Sequence, residues 1–229
     1  MSLRLQLVLL FTAVGNDEAG SQVADRLSGA RARVYMAQRR VPHTRDLVLI
    51  TPDGERTIVV VGEPLHAERS DRLPWDELAS CDAAYFTAQD PAALAAARAA
   101  RVLVMTSRRR PALLRSGVRP DVMVGSATDP REACTLEEFP AAQRPSALVL
   151  TEGAAGGAVH TASGVERFPA PATTAAGGGA YGAGDSFAGA LTYFLAAGIP
   201  VVEACARAGR FGAAVLGSVE PLEAQEWLG

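Results

Sequence analysis

Ala83-Ala84-Tyr85-Phe86-Thr87, then Pro91 to Ala100, then Arg101-Val102-Leu103-Val104-Met105-Thr106: a short apolar run, an alanine-rich helical stretch and a second apolar run succeed one another. Runs this short and this apolar, bounded by turn residues, suit strands covered on both faces. The alternation continues with a short helix through Leu113-Leu114, a strand at Asp121 to Val124 and another at Ala147 to Thr151 that ends in Glu152-Gly153. Strand–helix alternation predicts βαβ units and a parallel sheet. Ligands of such sheets bind beyond the carboxyl ends of the strands, so the loops after Val124 and Thr151 are the first places to expect a site.

Before this region the pattern differs. Leu5 to Ala13 is a continuous apolar run and predicts a buried strand. Gly20 to Gly29 predicts a short helix with Val23, Ala24 and Leu27 on one side, and Arg31 to Ala37 alternates as a half-exposed strand does. Asp46 to Thr51 and Arg56 to Val61 flank Pro52-Asp53-Gly54, a hairpin signature, so residues 31–62 are expected to supply a small antiparallel layer or lid. Downstream, Phe187, Leu191, Phe194 and Leu195 recur at helical spacing over Asp185 to Ala197. Gly198 stops that helix, Pro200 opens a second over Val201 to Leu216, and a third, short one is predicted at Pro221 to Leu228.

With 229 residues, 48% of them hydrophobic, the chain can bury a substantial core without staples. We read 1–229 as one α/β domain. A net charge of −3 excludes the basic footprint of a nucleic-acid binder. Arg108, Arg109 and Arg110 are the densest basic run and read as a solvated loop or helix start. Cys81, Cys134 and Cys205 are far apart and lack metal-ligand spacing, which fits buried thiols in a reducing cytoplasm. The N-terminal apolar run is too short to span a bilayer and lacks a signal cleavage site, so no membrane partner is expected. His43, His66 and His160 are isolated and read as structural, and Trp75 and Trp227 as packing residues.

The segment Gly177 to Asp185, with an apolar helix directly behind it, carries the chemistry. A glycine-rich loop presents backbone N–H groups in a concave array, and the helix adds its unpaired N-terminal donors and positive dipole end. Together these make an anion site suited to phosphate. Asp185, in the first helical turn, reads two ways: as an N-cap, or as a base that takes the proton of a hydroxyl attacking a phosphoryl group. Gly177-x-Gly179-x-x-Gly182 also matches the dinucleotide fingerprint, with Glu203 about twenty residues on. Its context fails, because Pro169 to Thr174 is no strand and Glu203 lies in a helical pattern.

Tyr181-Gly182-Ala183-Gly184-Asp185-Ser186-Phe187-Ala188-Gly189-Ala190-Leu191 resembles the C-terminal signature of the ribokinase-like (PfkB) carbohydrate kinases. Thr151-Glu152-Gly153-Ala154-Ala155-Gly156 is similar to that family's Thr-x-Gly-x-x-Gly nucleotide loop. Val14-Gly15-Asn16-Asp17-Glu18-Ala19-Gly20 and Asp53-Gly54-Glu55-Arg56-Thr57 resemble its early Val-Gly-x-Asp-x-x-Gly and hairpin segments. The resemblance implies a three-layer ribokinase-like fold, with a parallel-rich central sheet flanked by helices and a small β lid. It implies ATP-dependent phosphorylation of a hydroxyl on a sugar or nucleoside acceptor, with Asp185 as base. Gly182, Ala183 and Gly184 would form the anion hole, Thr151, Gly153, Gly156 and Ser126 the ATP site, and Mg²⁺ would travel with the phosphates. Ala208 to Gly212 falls where the adenine floor would be.

Departures accompany the likeness. Ser126-Ala127-Thr128-Asp129 stands where the family has Asn-x-x-Glu. Asp129 reads either as a magnesium contact through water or as a turn residue before Pro130. Gly179, Ala180 and Tyr181 replace an Asp-Thr-Thr that serves a monovalent cation, so no such site is expected. The family's opening strand, acceptor Asp, Gly-Gly and Asn-x-Ala helix have no counterpart before Val14, so the chain reads as a kinase that begins late. Lid and edge surface left open would then drive a homodimer. The alternative reading is a catalytically impaired relative that binds a nucleotide or small ligand.

Overall fold

The fold is seen in a computed structural model, which describes residues 7–51, 56–172, 181–216, 218 and 224–225. Contacts divide the chain into two units, one running up to Trp75 and the other starting at Asp76.

In the first unit β1 (Leu9–Val14) and β2 (Arg33–Gln38) pair in parallel, Leu9 opposite Arg33, across the helix α1 (Glu18–Ser28). The turn into α1 explains the Val14-to-Gly20 sequence. Asp17 is the N-cap, its carboxylate accepting from Gly20 N at 3.1 Å and from His43 N at 2.9 Å. A side chain on Gly20 would stand 2.1 Å from the Gly15 carbonyl oxygen, and one on Gly15 2.2 Å from His43 N. Backbone contact this close leaves room for nothing larger than hydrogen. Phe11 stacks on Trp75 with ring centroids 5.3 Å apart. Arg39 forks onto Asp71 at 2.6 and 2.8 Å.

The expected hairpin is present: β3 (Arg45–Ile50) and β4 (Arg56–Val61) are antiparallel, with Leu47 opposite Val59. Its turn, Pro52-Asp53-Gly54, lies outside the described residues. Leu47, Leu49, Val59 and Val61 share one face and are all exposed.

The second unit holds a six-stranded sheet of order β10-β9-β8-β7-β6-β5. Four strands are parallel, as the alternation predicted: β5 (Ala83–Phe86), β6 (Val102–Thr106), β7 (Val122–Ser126) and β8 (Ala147–Thr151). Leu103, Val104, Met105, Met123, Leu148 and Val149 are buried on both faces of it, which is why these strands read as unbroken apolar runs rather than alternating ones. The crossovers carry α2 (Pro91–Ala97), capped by Asp90 through Ala92 N and Ala93 N, and α3 (Arg110–Ser116).

Two strands were not foreseen. β9 (Gly157–Thr161) and β10 (Gly164–Phe168) extend the sheet antiparallel from β8. β10 hid because it is exposed up to Phe168, and an edge strand needs no apolar run; β9 lies inside the sheet, but its apolar part is only Gly157, Ala158 and Val159.

Helix α4 (Ala183–Ala196) lies on β5, β6 and β7, and α5 (Val201–Ala214) packs against α4 and β10. Gly198, with φ +79°, ends α4 as anticipated. A side chain on Gly212 would be 3.0 Å from the Ala183 carbonyl, so the small residues of Ala208 to Gly212 serve close helix packing. The predicted helix at Pro221 to Leu228 lies outside the described residues apart from Ala224 and Gln225, which are not helical.

Candidate active site

Four parallel strands end side by side, and α4 begins above three of them. Gly182 is the N-cap of α4 in the left-handed conformation (φ +79°), a turn that glycine makes at no steric cost. Ser186 N is the first amide to bond back, to the Gly182 carbonyl at 2.9 Å. The amides of Ala183, Gly184 and Asp185 therefore have no partner within the helix, as at any helix start. A side chain on Gly184 would meet nothing within 4 Å among the described residues. Its smallness leaves the amide row open to an outside group.

Asp185 is the third residue of α4, not its N-cap, and the helix has no side-chain cap at all. That removes the capping role as the reason for this residue. Its carboxyl pKa is raised, first by burial; Glu132 raises it further and Arg108 pulls it back. The residue is nevertheless open by accessible surface. Solvent reaches the carboxylate, and the neighbouring protein strips part of the hydration shell it needs. Ser186, next along, has a buried hydroxyl that finds no partner among the described residues.

The strand ends supply the rest. Tyr85, near the end of β5, is pushed well above the ordinary phenol range by burial and then by Asp185 and Glu132. After β6, Thr106 caps a tight 3-10 turn, Ser107–Arg109, by accepting from Arg108 N. The three arginines form the helix start that the sequence suggested, with Arg109 as N-cap and Arg110 as first residue of α3, and their guanidinium groups are paired as well. Arg108 binds Glu132 and Asp129, Arg109 donates to Thr87 O at 2.6 Å, and Arg110 to Ala133 O at 2.7 Å. Each is drawn to a carboxylate or carbonyl of a neighbouring loop, which a sequence window cannot see.

After β7, Ser126 pairs in register with Thr151 at the end of β8, and Thr151 Oγ1 donates to Gly125 O at 3.3 Å. Ser126 and Thr151 are thus neighbours. Gly153 (φ +59°) and Gly156 (φ +84°) shape the turn that follows Thr151. Asp129 accepts from Arg131 N at 2.9 Å and from the guanidinium groups of Arg131 and Arg108, both at 3.1 Å. These bonds hold its carboxyl below the usual carboxylate range. Of its two readings, the turn residue matches these partners.

Glu132 was missed. Its carboxylate accepts from Ser126 N at 2.9 Å and from Arg108, and Ser107 Oγ donates to its carbonyl at 2.8 Å. Gly125 makes that possible, since a side chain there would stand 2.1 Å from Ser107 Oγ. A cue was present in sequence: Asp129-Pro130-Arg131-Glu132 puts a glutamate at the x-x-Glu spacing, three residues beyond where Ser126-Ala127-Thr128-Asp129 was aligned.

Magnesium can be tested against these residues. Asp129 and Glu132 have their charge met by arginines, and among the described residues no group of three or more His, Cys, Asp or Glu could hold a metal ion. As arranged, these acids do not make a magnesium site. Gly177 to Ala180, the earlier part of the glycine loop and of the expected cation-site positions, lie outside the described residues. Glu203 sits on α5 paired with Arg207, so the dinucleotide reading has no acid on a strand.

Comparison with known proteins completes the picture. The profile of the pfkB family carbohydrate kinases matches residues 3–227.

The chain belongs to the pfkB carbohydrate kinase family.

Its fold is that of solved members with the ribokinase architecture. Ribokinase from Thermotoga maritima superposes with a TM-score of 0.73 at 16% identity, over 95% of this chain and 77% of that one. Adenosine kinase from Sinorhizobium meliloti gives 0.72 at 20%, over 96% and 75%. A nucleoside kinase from Burkholderia thailandensis, solved with inosine, gives 0.67 at 17%, over 92% and 74%. No curated protein matches the chain at a significant level. Among the described residues no helix is long and apolar enough to cross a membrane.

Proposed function

We propose that this pfkB-family chain transfers the terminal phosphoryl group of ATP to a hydroxyl of a sugar or nucleoside-like acceptor, with Asp185 as the base. The acceptor hydroxyl gives its proton to Asp185, its oxygen bonds to the terminal phosphorus, and the bond from phosphorus to the bridging oxygen breaks, leaving ADP with that electron pair. The observation that carries this reading is Asp185 at the third position of α4, with a raised pKa, beside three amides without helical partners. A base whose pKa lies nearer neutrality takes a proton more readily, and the amides stabilise charge that grows on the phosphoryl oxygens.

Gly182, Ala183 and Gly184 form the anion hole in this reading, and Ser126, Thr151, Gly153 and Gly156 the nucleotide loop. Magnesium arrives with the nucleotide and is held by phosphate oxygens and water. Buried, unpaired Cys134 and Cys205 suit a reducing compartment such as the cytoplasm. The apolar hairpin face suits self-association as a homodimer.

The neutralised Asp129 and Glu132 favour a second reading, a nucleotide-binding relative without turnover. One experiment separates the two. Asp185→Asn should abolish phosphoryl transfer across a panel of sugars and nucleosides while ATP binding, followed by calorimetry, stays within a few-fold of wild type. Transfer by the variant at the wild-type rate would remove Asp185 as base, and a wild type inert on the whole panel would leave the binding role.

A further inference from the structure

Arg108 is the cation of the strand-end cluster, and its guanidinium is only partly used. Nε donates to Glu132 at 2.9 Å and Nη2 to Asp129 at 3.1 Å and again to Glu132. Among the described residues Nη1 donates to nothing. The side chain is 43% exposed, while that of Glu132 is 15% exposed. The acid is therefore the sunk, fixed partner and the arginine the reachable one.

Glu132 is itself built in. The Ser126 amide, the Ser107 hydroxyl and the Gly125 gap fix it from two strand ends. Arginine side chains carry about 2 kcal/mol of rotamer entropy when free. Holding one edge of the fork on two carboxylates removes most of that freedom before any ligand arrives, and the free edge matches a phosphate in geometry and charge. Arg108 also follows the carboxyl end of β6, one of the strands on which α4 packs, and acts electrostatically on Asp185, so it lies in the neighbourhood where a phosphoryl group would pass to the acceptor.

We propose that Arg108 is a phosphoryl-binding residue whose free Nη1 edge contacts the terminal phosphate of ATP, and that Glu132 and Asp129 are positioning residues for it rather than metal ligands. The proposal rests on the kinase site described above. Arg108 makes and breaks no covalent bond. It supplies a permanent positive charge that the acids of this chain would otherwise have recruited as a metal. The charged and titratable groups acting on Asp185 in that cluster are Arg108 from the turn after β6 and Glu132 from the loop after β7, with neutral Tyr85 from β5 beside them.

The test is calorimetric titration of wild type, Arg108→Gln, Arg108→Lys and Glu132→Gln with ATP and separately with ADP, magnesium present throughout. Subtracting ADP isolates the terminal phosphate, and ADP affinity reports that each variant is folded. We expect Arg108→Gln to weaken ATP about 10- to 100-fold, the range for one charged hydrogen-bonded contact, with ADP within twofold. Arg108→Lys should recover part of the loss, because it keeps the charge without the fork. In turnover, kcat of Arg108→Gln should fall about 10²- to 10³-fold. The acid limb of its pH profile should move up, and that of Glu132→Gln down, because the first loses a positive and the second a negative neighbour of Asp185. A merely structural pair would weaken ATP and ADP alike. Equal loss of ATP and ADP, or no loss of either, in Arg108→Gln overturns the proposal. A wild type without turnover defeats the catalytic reading of Asp185, and the ATP-minus-ADP difference still decides Arg108.

Discussion

Gly153 and Gly156 both sit at positive φ in the turn after β8, and replacing each with alanine should have unequal consequences. At Gly153 (φ +59°) a Cβ would meet nothing within 4 Å. The cost is left-handed strain alone, roughly 1–2 kcal/mol. At Gly156 (φ +84°, ψ −115°) the backbone is in a region that side chains avoid, worth about 1–3 kcal/mol. There the new Cβ would also stand 2.2 Å from Phe168 O and 2.7 Å from Ala170 N. Those are backbone atoms and cannot rotate away, so the end of β10 must shift, at about 1–3 kcal/mol more. Gly156→Ala should therefore destabilise by about 4 kcal/mol and Gly153→Ala by about 1–2 kcal/mol. In urea unfolding followed by circular dichroism, with a slope of about 2–3 kcal/mol/M, the midpoints should fall by about 1.5 M and about 0.5 M. If Gly153→Ala keeps its stability but loses ATP affinity, Gly153 serves the ligand and Gly156 the fold. Equal midpoints for the two variants would refute the reasoning, since the clash at Gly156 is its whole basis.

Two further outcomes are expected. Because the folded pKa of Asp185 is raised above its ordinary value of 3.8, its ionisation opposes folding. That opposition is absent below the unfolded pKa and grows as pH rises through the folded one. Asp185→Asn should thus melt higher than wild type at neutral pH and alike near pH 3 (about one unit below the ordinary value), and a variant that melts lower at neutral pH would contradict this. Leu47→Lys with Val59→Lys puts like charges on opposed positions of the hairpin face. It should convert a dimer to monomer in light scattering, and a wild type that is already monomeric defeats the association itself.

The parallel strands were legible because burial on both faces leaves a local trace, an apolar run such as Val102 to Met105 between turns. The hairpin and the stop at Gly198 were legible for the same reason: each is settled by neighbours a few residues away. The glycine loop and Asp185 announced a kinase resemblance, and the family match agrees with that resemblance. β9 and β10 were not legible: β10 is an exposed edge strand without an apolar run, and the apolar part of β9 is too short to stand out.

The sequence by itself determined the strand–helix alternation of a parallel βαβ sheet, the helix that starts at the glycine turn, and the presence of an aspartate in its first turn. It left open whether that aspartate was a cap. Only the tertiary structure made Gly182 the cap and set Asp185 among charges from other strand ends, where burial raises its pKa. Likewise three consecutive arginines looked alike in sequence, and the fold gave each a different partner. Arg108 met Glu132, twenty-four positions away, because parallel strands end side by side whatever the length of the crossover between them. Charge pairing across strand ends depends on that adjacency, and no local pattern in the chain encodes it.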